Sequence, residues 1–169
     1  MGNSFRNLLF CIVGWVFLFS SLALASPKII AEVALNPAGD FKIEISEVKG
    51  EATIDGDTVR AERIVAELKG LKTGMTLRDK HAKDKYLEVQ KFPVVELLSA
   101  IGKGGKGKGR IRMRGIEKDV EGTYRIEGNE LKAVFAIKLS DFKITGIKYM
   151  GIGVEDVVKV LVTVPAKKK

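Results

Sequence analysis

The chain has 169 residues with 29 Lys and Arg against 21 Asp and Glu, a formal charge of +8, and it holds one histidine and one cysteine. That length suits one domain with a short extension. A lone cysteine excludes a disulfide framework, and a lone histidine excludes the multi-histidine zinc sets.

Residues 1–25 read as an export signal. Arg6 gives a positive start, Leu8 to Phe19 (LLFCIVGWVFLF) forms a compact apolar core, and SSLALA ends in an A-x-A pattern at Ala23 and Ala25. Cleavage after Ala25 removes Cys11 and Trp15 and leaves residues 26–169 as a single domain without a thiol. An uncleaved anchor is the second reading, because Leu8 to Ala25 approaches the lower length of a spanning helix. The serines and the cleavage pattern favour removal. A lipoprotein signal fits worse, since bulky Phe10 precedes Cys11 and the cysteine comes too early.

Beyond residue 26 the dominant period is two. Phe41, Ile43 and Ile45 alternate with Lys42, Glu44 and Ser46, and Ile64, Ala66 and Leu68 alternate with Val65, Glu67 and Lys69. The pattern breaks at TLRDKHAKDKYLEVQ, whose apolar residues do not alternate and which holds no glycine or proline. It predicts a short helical segment over residues 77–88, ended by Phe92-Pro93, which opens the strand VVELLSAIG. Alternation resumes with Ile111 and Met113 among Arg110, Arg112 and Arg114. It continues with Leu131, Ala133, Phe135, Ile137 and Leu139, and with Val158, Val160, Val162 and Val164. Glycine-centred turns separate the runs at Gly56, Gly70, Gly102 to Gly109, Gly128 and Gly146. Short alternating strands joined by tight turns predict an all-β antiparallel sandwich or barrel. The closing PAKKK reads as a solvated tail.

Candidate chemistry is sparse. His81 lies near Asp79, Asp84 and Glu88, but no metal-ligand spacing such as H-E-x-x-H exists, and Lys80, Lys83, Lys85 and Lys91 surround the carboxylates as solvated ion pairs would. The serines beyond residue 25, Ser26, Ser46, Ser99 and Ser140, sit in no nucleophile elbow, so a hydrolase using Asp79 and His81 is the weaker reading. GKGGKGKGRIRMRG matches G-x-G-x-x-G and nearly a P-loop. Gly109 stands where a magnesium-binding hydroxyl belongs, though, and a strand follows instead of a helix. The plainer reading is a flexible basic hairpin tip. Its Lys103 to Arg114 cluster could touch anionic lipid headgroups weakly, or dock a protein partner as a non-enzymatic adaptor. Exposed aromatics for base stacking are few, and export would remove the chain from most nucleic acid, so no nucleic-acid partner is expected.

The order of these features resembles the YceI-like, polyisoprenoid-binding family. Leu71-Lys72-Thr73-Gly74 followed by Arg78-Asp79-Lys80-His81 resembles its "T-G … R-D-x-H" segment, and Phe92-Pro93 its "[FY]-P" step. Arg114 to Val120 (RGIEKDV) resembles "[RH]-G-V-T-K-x-V", Leu139-Ser140-Asp141-Phe142 resembles "R-x-D-F", and Val154 to Val158 resembles "V-x-D-x-V". The likeness spans roughly Asp40 to Ala166, with Leu97 where a phenylalanine is common and Leu139 where an arginine is usual. It implies an extended, lipocalin-like antiparallel β-barrel in the periplasm, without enzyme activity or cofactor, holding an isoprenoid or similar amphiphile. The chain is also compatible with a homodimer. Under that resemblance Arg78, Asp79 and His81 fix the helical segment across one barrel end, with a headgroup contact open to Arg78 or His81. The apolar faces nominate a lining of Phe41, Ile43, Leu68, Leu77, Leu87, Phe92, Leu97, Met113, Phe135, Ile137 and Phe142. A filled core accounts for each of these equally well, and only a hollow interior separates the two readings.

Overall fold

Side chains alternating between water and hydrocarbon organise almost every element of the computed structural model, which describes residues 26–37, 39–149 and 151–169. The export-signal reading of residues 1–25 lies outside the described residues. Twelve strands are found among those described. They are β1 (Lys28–Asn36), β2 (Asp40–Ile45), β3 (Val48–Lys49), β4 (Ala52–Asp55), β5 (Thr58–Glu67), β6 (Val94–Lys103), β7 (Lys106–Met113), β8 (Ile116–Glu127), β9 (Glu130–Lys138), β10 (Lys148–Tyr149), β11 (Ile152–Val154) and β12 (Val157–Lys168). A short helix, α1 (Thr76–His81), widens into a π-turn over Ala82–Tyr86. The helical segment therefore starts one residue earlier and stops two residues sooner than the expected 77–88.

Seven strands close a ring: β12, β4, β5, β6, β7, β8 and β9 are neighbours in that order, and β9 returns to β12. The barrel has no free edge around this ring, which removes the unpaired N–H and C=O groups that an open sheet would offer to other chains. Neighbours are antiparallel except at one seam, where Ala166, Lys167 and Lys168 run parallel to Ala52, Thr53 and Ile54. The expected solvated tail is thus a barrel strand. Its lysine side chains reach water, but its backbone completes the ring and Ala166 is buried. β9 occupies one flank of β12 over Val157–Pro165, so β1 shares the other flank with β4, pairing at Lys28–Glu32 with Thr163–Lys159. β2 then extends this wall from β1, and β3 rejoins β5.

Two bulges bend the wall. Arg63 takes a left-handed φ of 48°, and the β6 register slips between Leu97 and Ser99. Inward parity flips there: Val59 and Ala61 precede the bulge on the buried face, while Ile64, Ala66 and Leu68 follow it. An extra residue in one strand swaps faces and raises local twist, which is how a sheet turns a barrel corner. Gly50 sits against that corner, where a Cβ would lie 2.9 Å from the Ile64 Cα. No side chain larger than hydrogen lets β3 and β4 approach β5 so closely.

The two barrel ends differ. At one end are the tight hairpins between β4 and β5, β6 and β7, and β8 and β9. At the other end α1 and its π-turn carry the chain from β5 to β6, and residues 139–156 carry it from β9 to β12. These two connections touch: Tyr86 and Leu87 pack on the cluster of Ile111, Met113, Phe142 and Ile144. The described residues include no helix long and apolar enough to cross a membrane.

Candidate ligand-binding cavity

The inward side chains do not meet in the middle. Buried residues form three separate clusters along the wall, and between them lies a cavity of about 510 Å³. Its surface is almost wholly hydrocarbon. Contributions come from β1 and β2 (Ile29, Ala31, Val33, Phe41, Ile43), from β5 to β7, and from β9 and β12 (Ala133, Phe135, Val160, Val162). That volume falls inside the range of natural small-molecule sites, about 300–1,000 Å³. A void of this size has room for on the order of fifteen groups of water size, at about 30 Å³ each.

Small residues keep the interior open. Glycines at 102, 107, 109 and 122 border the cavity where alternation would otherwise place inward side chains. The ring of Tyr124 fills the space over Gly102, where an added Cβ would meet Cε1 at 2.4 Å. At Gly122 an added Cβ would meet the Val134 carbonyl oxygen at 2.3 Å, so β8 and β9 lie too close for any side chain. The expected flexible tip of Gly102 to Gly109 is accordingly two paired strands, with only Gly104 and Gly105 in the turn.

Of the nominated lining, Phe41, Ile43, Leu68, Leu77, Leu87, Leu97, Met113, Phe135 and Ile137 border the cavity. Phe92 and Phe142 do not. Phe142 closes a 3-10 turn after β9 and is 1% exposed, packed on Ile111, Met113 and Ile144 as part of the wall behind the void. Phe92 lies outside the β7–β8 turn, with the Lys91 ammonium and the Arg114 guanidinium over its ring. Alternation could not assign either residue, since each sits in a connection where period two has ended. The sequence reading also passed over β1, whose Ile29, Ala31, Val33 and Leu35 all border the cavity. KIIAEVALN does alternate at those four positions, and that signal was available.

The T-G … R-D-x-H segment is a clamp. Asp79 Oδ1 accepts hydrogen bonds from the Thr73 backbone N–H and from the Thr73 hydroxyl, both at 2.6 Å. The hydroxyl bond above all, with the backbone bond adding to it, holds the Asp79 carboxyl below the usual carboxylate range. Arg78 donates from Nε to Thr73 Oγ1 at 3.2 Å and from a terminal nitrogen to the Thr73 carbonyl at 3.1 Å. Its guanidinium then lies 4.1 Å over the Phe41 ring. The aromatic face so attracts the cation at the cavity margin and ties α1 to β2. Arg78 and His81 both border the cavity.

A second clamp joins the other quoted motifs. Asp156 accepts from the Ser140 N–H at 2.8 Å and the Ser140 hydroxyl at 2.7 Å, which lowers its pKa for the same reason. Arg114 donates to the carbonyls of Phe142 at 3.2 Å and Lys143 at 2.7 Å, and to the Glu88 carboxylate. That one side chain therefore ties the β7–β8 turn to both connections at the capped end.

The Lys103 to Arg114 patch is mostly neutralised across the sheet. Lys103 pairs with Asp57 at 2.7 Å, Lys108 with Glu121 at 2.9 Å and Arg110 with Asp119 at 2.8 Å, while Arg112 bridges Glu96 and Glu117. No group of three or more His, Cys, Asp or Glu able to hold a metal occurs among the described residues.

The YceI-like domain profile matches residues 31–166. The crystal structure of Burkholderia cenocepacia BcnA is similar, with a TM-score of 0.63 at 13% identity, covering 81% of this chain and 94% of that one. A polyisoprenoid binding domain from Saccharophagus degradans, implicated in plant cell wall breakdown, is similar at a TM-score of 0.56 and 10% identity, covering 83% and 93%. The Campylobacter jejuni YCEI protein gives 0.53 at 18% identity, covering 75% and 84%. At these identities the likeness is one of fold. No curated protein matches the sequence.

Proposed function

The chain belongs to the YceI-like family, and on that footing we propose that it is a periplasmic carrier or buffer of one long-chain amphiphile of isoprenoid or fatty type. The single observation that carries this reading is the hydrocarbon-lined cavity of about 510 Å³ in a barrel of this family. The solved Saccharophagus degradans relative is a polyisoprenoid binding domain, which supports the ligand class. Export by residues 1–25 supplies the periplasmic part of the proposal.

Binding needs no polar anchor. Each methylene leaving water contributes about 0.8 kcal/mol, so ten give roughly 8 kcal/mol before association entropy and chain ordering take their share. Micromolar affinity is within reach of a chain that fills much of the cavity. The action is binding without chemistry on the ligand: the walls present aliphatic and aromatic carbon, and Arg78 and Asp79 are engaged with Thr73.

Solvent extraction of the protein recovered from its own periplasm, followed by mass spectrometry, tests the proposal. Delipidated protein is then titrated with saturated and isoprenoid chains of rising length. A stoichiometric amphiphile is expected, with affinity rising with length to a plateau and changing little with salt. A clean extract together with no uptake of any chain would remove the carrier reading.

A further inference from the structure

Charge is unevenly spread over this barrel. The β5–β6 connection, residues 68–93, carries six lysines and Arg78 against three carboxylates, a net +4, while the β9–β12 connection, residues 139–156, carries Lys143 and Lys148 against Asp141, Glu155 and Asp156. Both connections lie at the capped end. The excess of cations at this end therefore lies on the β5–β6 connection. Along the strands, lysines and arginines face carboxylates on neighbouring strands, as at Lys108, Arg110 and Lys159. At the capped end Lys72, Lys80, Lys143 and Lys148 make no ion pair among the described residues, although all four are exposed. Four of the six carboxylates in these connections are already engaged, Asp79 with Thr73, Glu88 with Arg114, Asp141 with Lys118 and Asp156 with Ser140.

Apolar side chains protrude in the same place. Met75 is 55% exposed, Leu77 49% and Ile152 42%, and all three also border the cavity. Three of the four large apolar side chains that both line the void and reach solvent thus lie at α1 and β11. Ile101, also exposed and lining, stands apart on β6 beside the Lys108–Glu121 pair.

We infer that this capped end docks on an anionic phospholipid bilayer, with Met75, Leu77 and Ile152 entering the headgroup layer and Lys72, Lys80, Lys143 and Lys148 meeting lipid phosphates. Exposed aliphatic tips at the same end as unpaired lysines suit a bilayer surface, where apolar burial and attraction to anionic lipid act together. A protein partner fits less well, because the buried centres of protein interfaces are depleted in lysine. The inference goes beyond the carrier reading and stands whatever fills the cavity. It also relocates the membrane contact from the Lys103 to Arg114 patch, whose charges are largely cancelled by their partners.

Vesicle sedimentation of the chain from Ser26 onward, which contains every strand of the closed ring, provides the test. Vesicles of phosphatidylcholine alone are compared with vesicles that also contain phosphatidylglycerol, at about 0.1 M salt. Sedimentation with the anionic vesicles is expected, and it should weaken as salt rises. Affinity should fall at least tenfold both for the Lys80→Glu/Lys148→Glu pair and for the Met75→Asp/Leu77→Asp pair, since each surface lysine contributes about a factor of five. All four positions are exposed, so circular dichroism should report an unchanged fold. Lys106→Glu, at the hairpin end, should bind as wild type. The inference is overturned by equal binding to both vesicle types, by no binding, by an equal loss in Lys106→Glu, or by retention on an acidic protein with none on vesicles. The readout does not depend on ligand uptake, so it fails or succeeds separately from the carrier proposal.

Discussion

Asp79 and Asp156 do the same work at two places, each accepting a hydroxyl and a backbone N–H from one residue, Thr73 or Ser140. Those bonds favour the ionised form, so both carboxyls titrate lower in the folded state than in the unfolded chain. Their contribution to stability is fully present above the ordinary carboxylate pKa, about 4, and is lost as pH falls through the folded values. Urea unfolding followed from pH 6 to about pH 2.5 should therefore show a falling midpoint. In the Asp79→Asn/Asp156→Asn double variant, which keeps an acceptor oxygen but cannot titrate, that acid limb should flatten. An acid limb as steep as that of wild type would show that these bonds do not set it. At this scale the sequence was only partly readable. The T-G … R-D-x-H spacing placed Thr73, Arg78 and Asp79 together, but nothing in the spacing told that Asp79 would face Thr73 instead of a cation. The choice depends on the turn at Gly74 and on Phe41, which comes from a strand more than thirty residues earlier and holds the Arg78 guanidinium on its face.

Elements were legible wherever period two ran unbroken and illegible where a tertiary demand overrode it. β9, most of β12 and the second half of β7 follow from alternation alone, whereas the first half of β7, Lys106 to Gly109, read as a flexible tip. The bulge at Arg63 splits β5: Ile64, Ala66 and Leu68 after it read as a strand by alternation, while Val59 and Ala61 before it point the opposite parity inward and do not continue that pattern. The tail is the clearest case. PAKKK carries no apolar period, yet its backbone is demanded by the seam with β4. Ala166 N–H donates to the Asn129 carbonyl at 2.7 Å and Lys169 N–H to the Ile54 carbonyl at 3.0 Å. What the tail supplies is thus main chain, not charge, and the two can be told apart. Deleting residues 165–169 should lower unfolding stability by on the order of 3 kcal/mol, for the lost ladder bonds and the uncovered ring edge. Changing Lys167, Lys168 and Lys169 together to Gln should leave the denaturation midpoint in place. Were the triple substitution to match the deletion, the tail would act through its charge and the seam would carry little.

Hollowness belongs to the whole molecule, and no window of sequence contains it. An inward apolar residue looks alike whether it meets another side chain or a void. The difference here arises from where the small residues converge, with Ala31 from β1, Ala61 from β5, glycines from β6 to β8 and Ala133 from β9 all bordering one space. Such a space is costly when empty. At about 24 cal/mol per Å³, a dry void of 510 Å³ would forfeit on the order of 12 kcal/mol relative to a filled core. That is comparable with the whole net stability of a typical domain, about 5–15 kcal/mol. Solvent entering at the mouth relieves part of it, and a bound chain relieves more. Occupancy and stability are therefore linked, and a ligand at a hundred times its Kd should add about 2.7 kcal/mol and raise the melting temperature. Filling the void from inside must then trade one for the other. Ala133→Phe places a ring in the cavity while removing none of the existing side chains. It should raise the melting temperature of the delipidated protein, shorten the longest chain taken up, and shrink the increment in melting temperature on ligand addition. A variant with the same chain-length limit as wild type, and the same increment, would mean that ligand and phenyl ring occupy different spaces. The amphiphile would then lie outside the barrel.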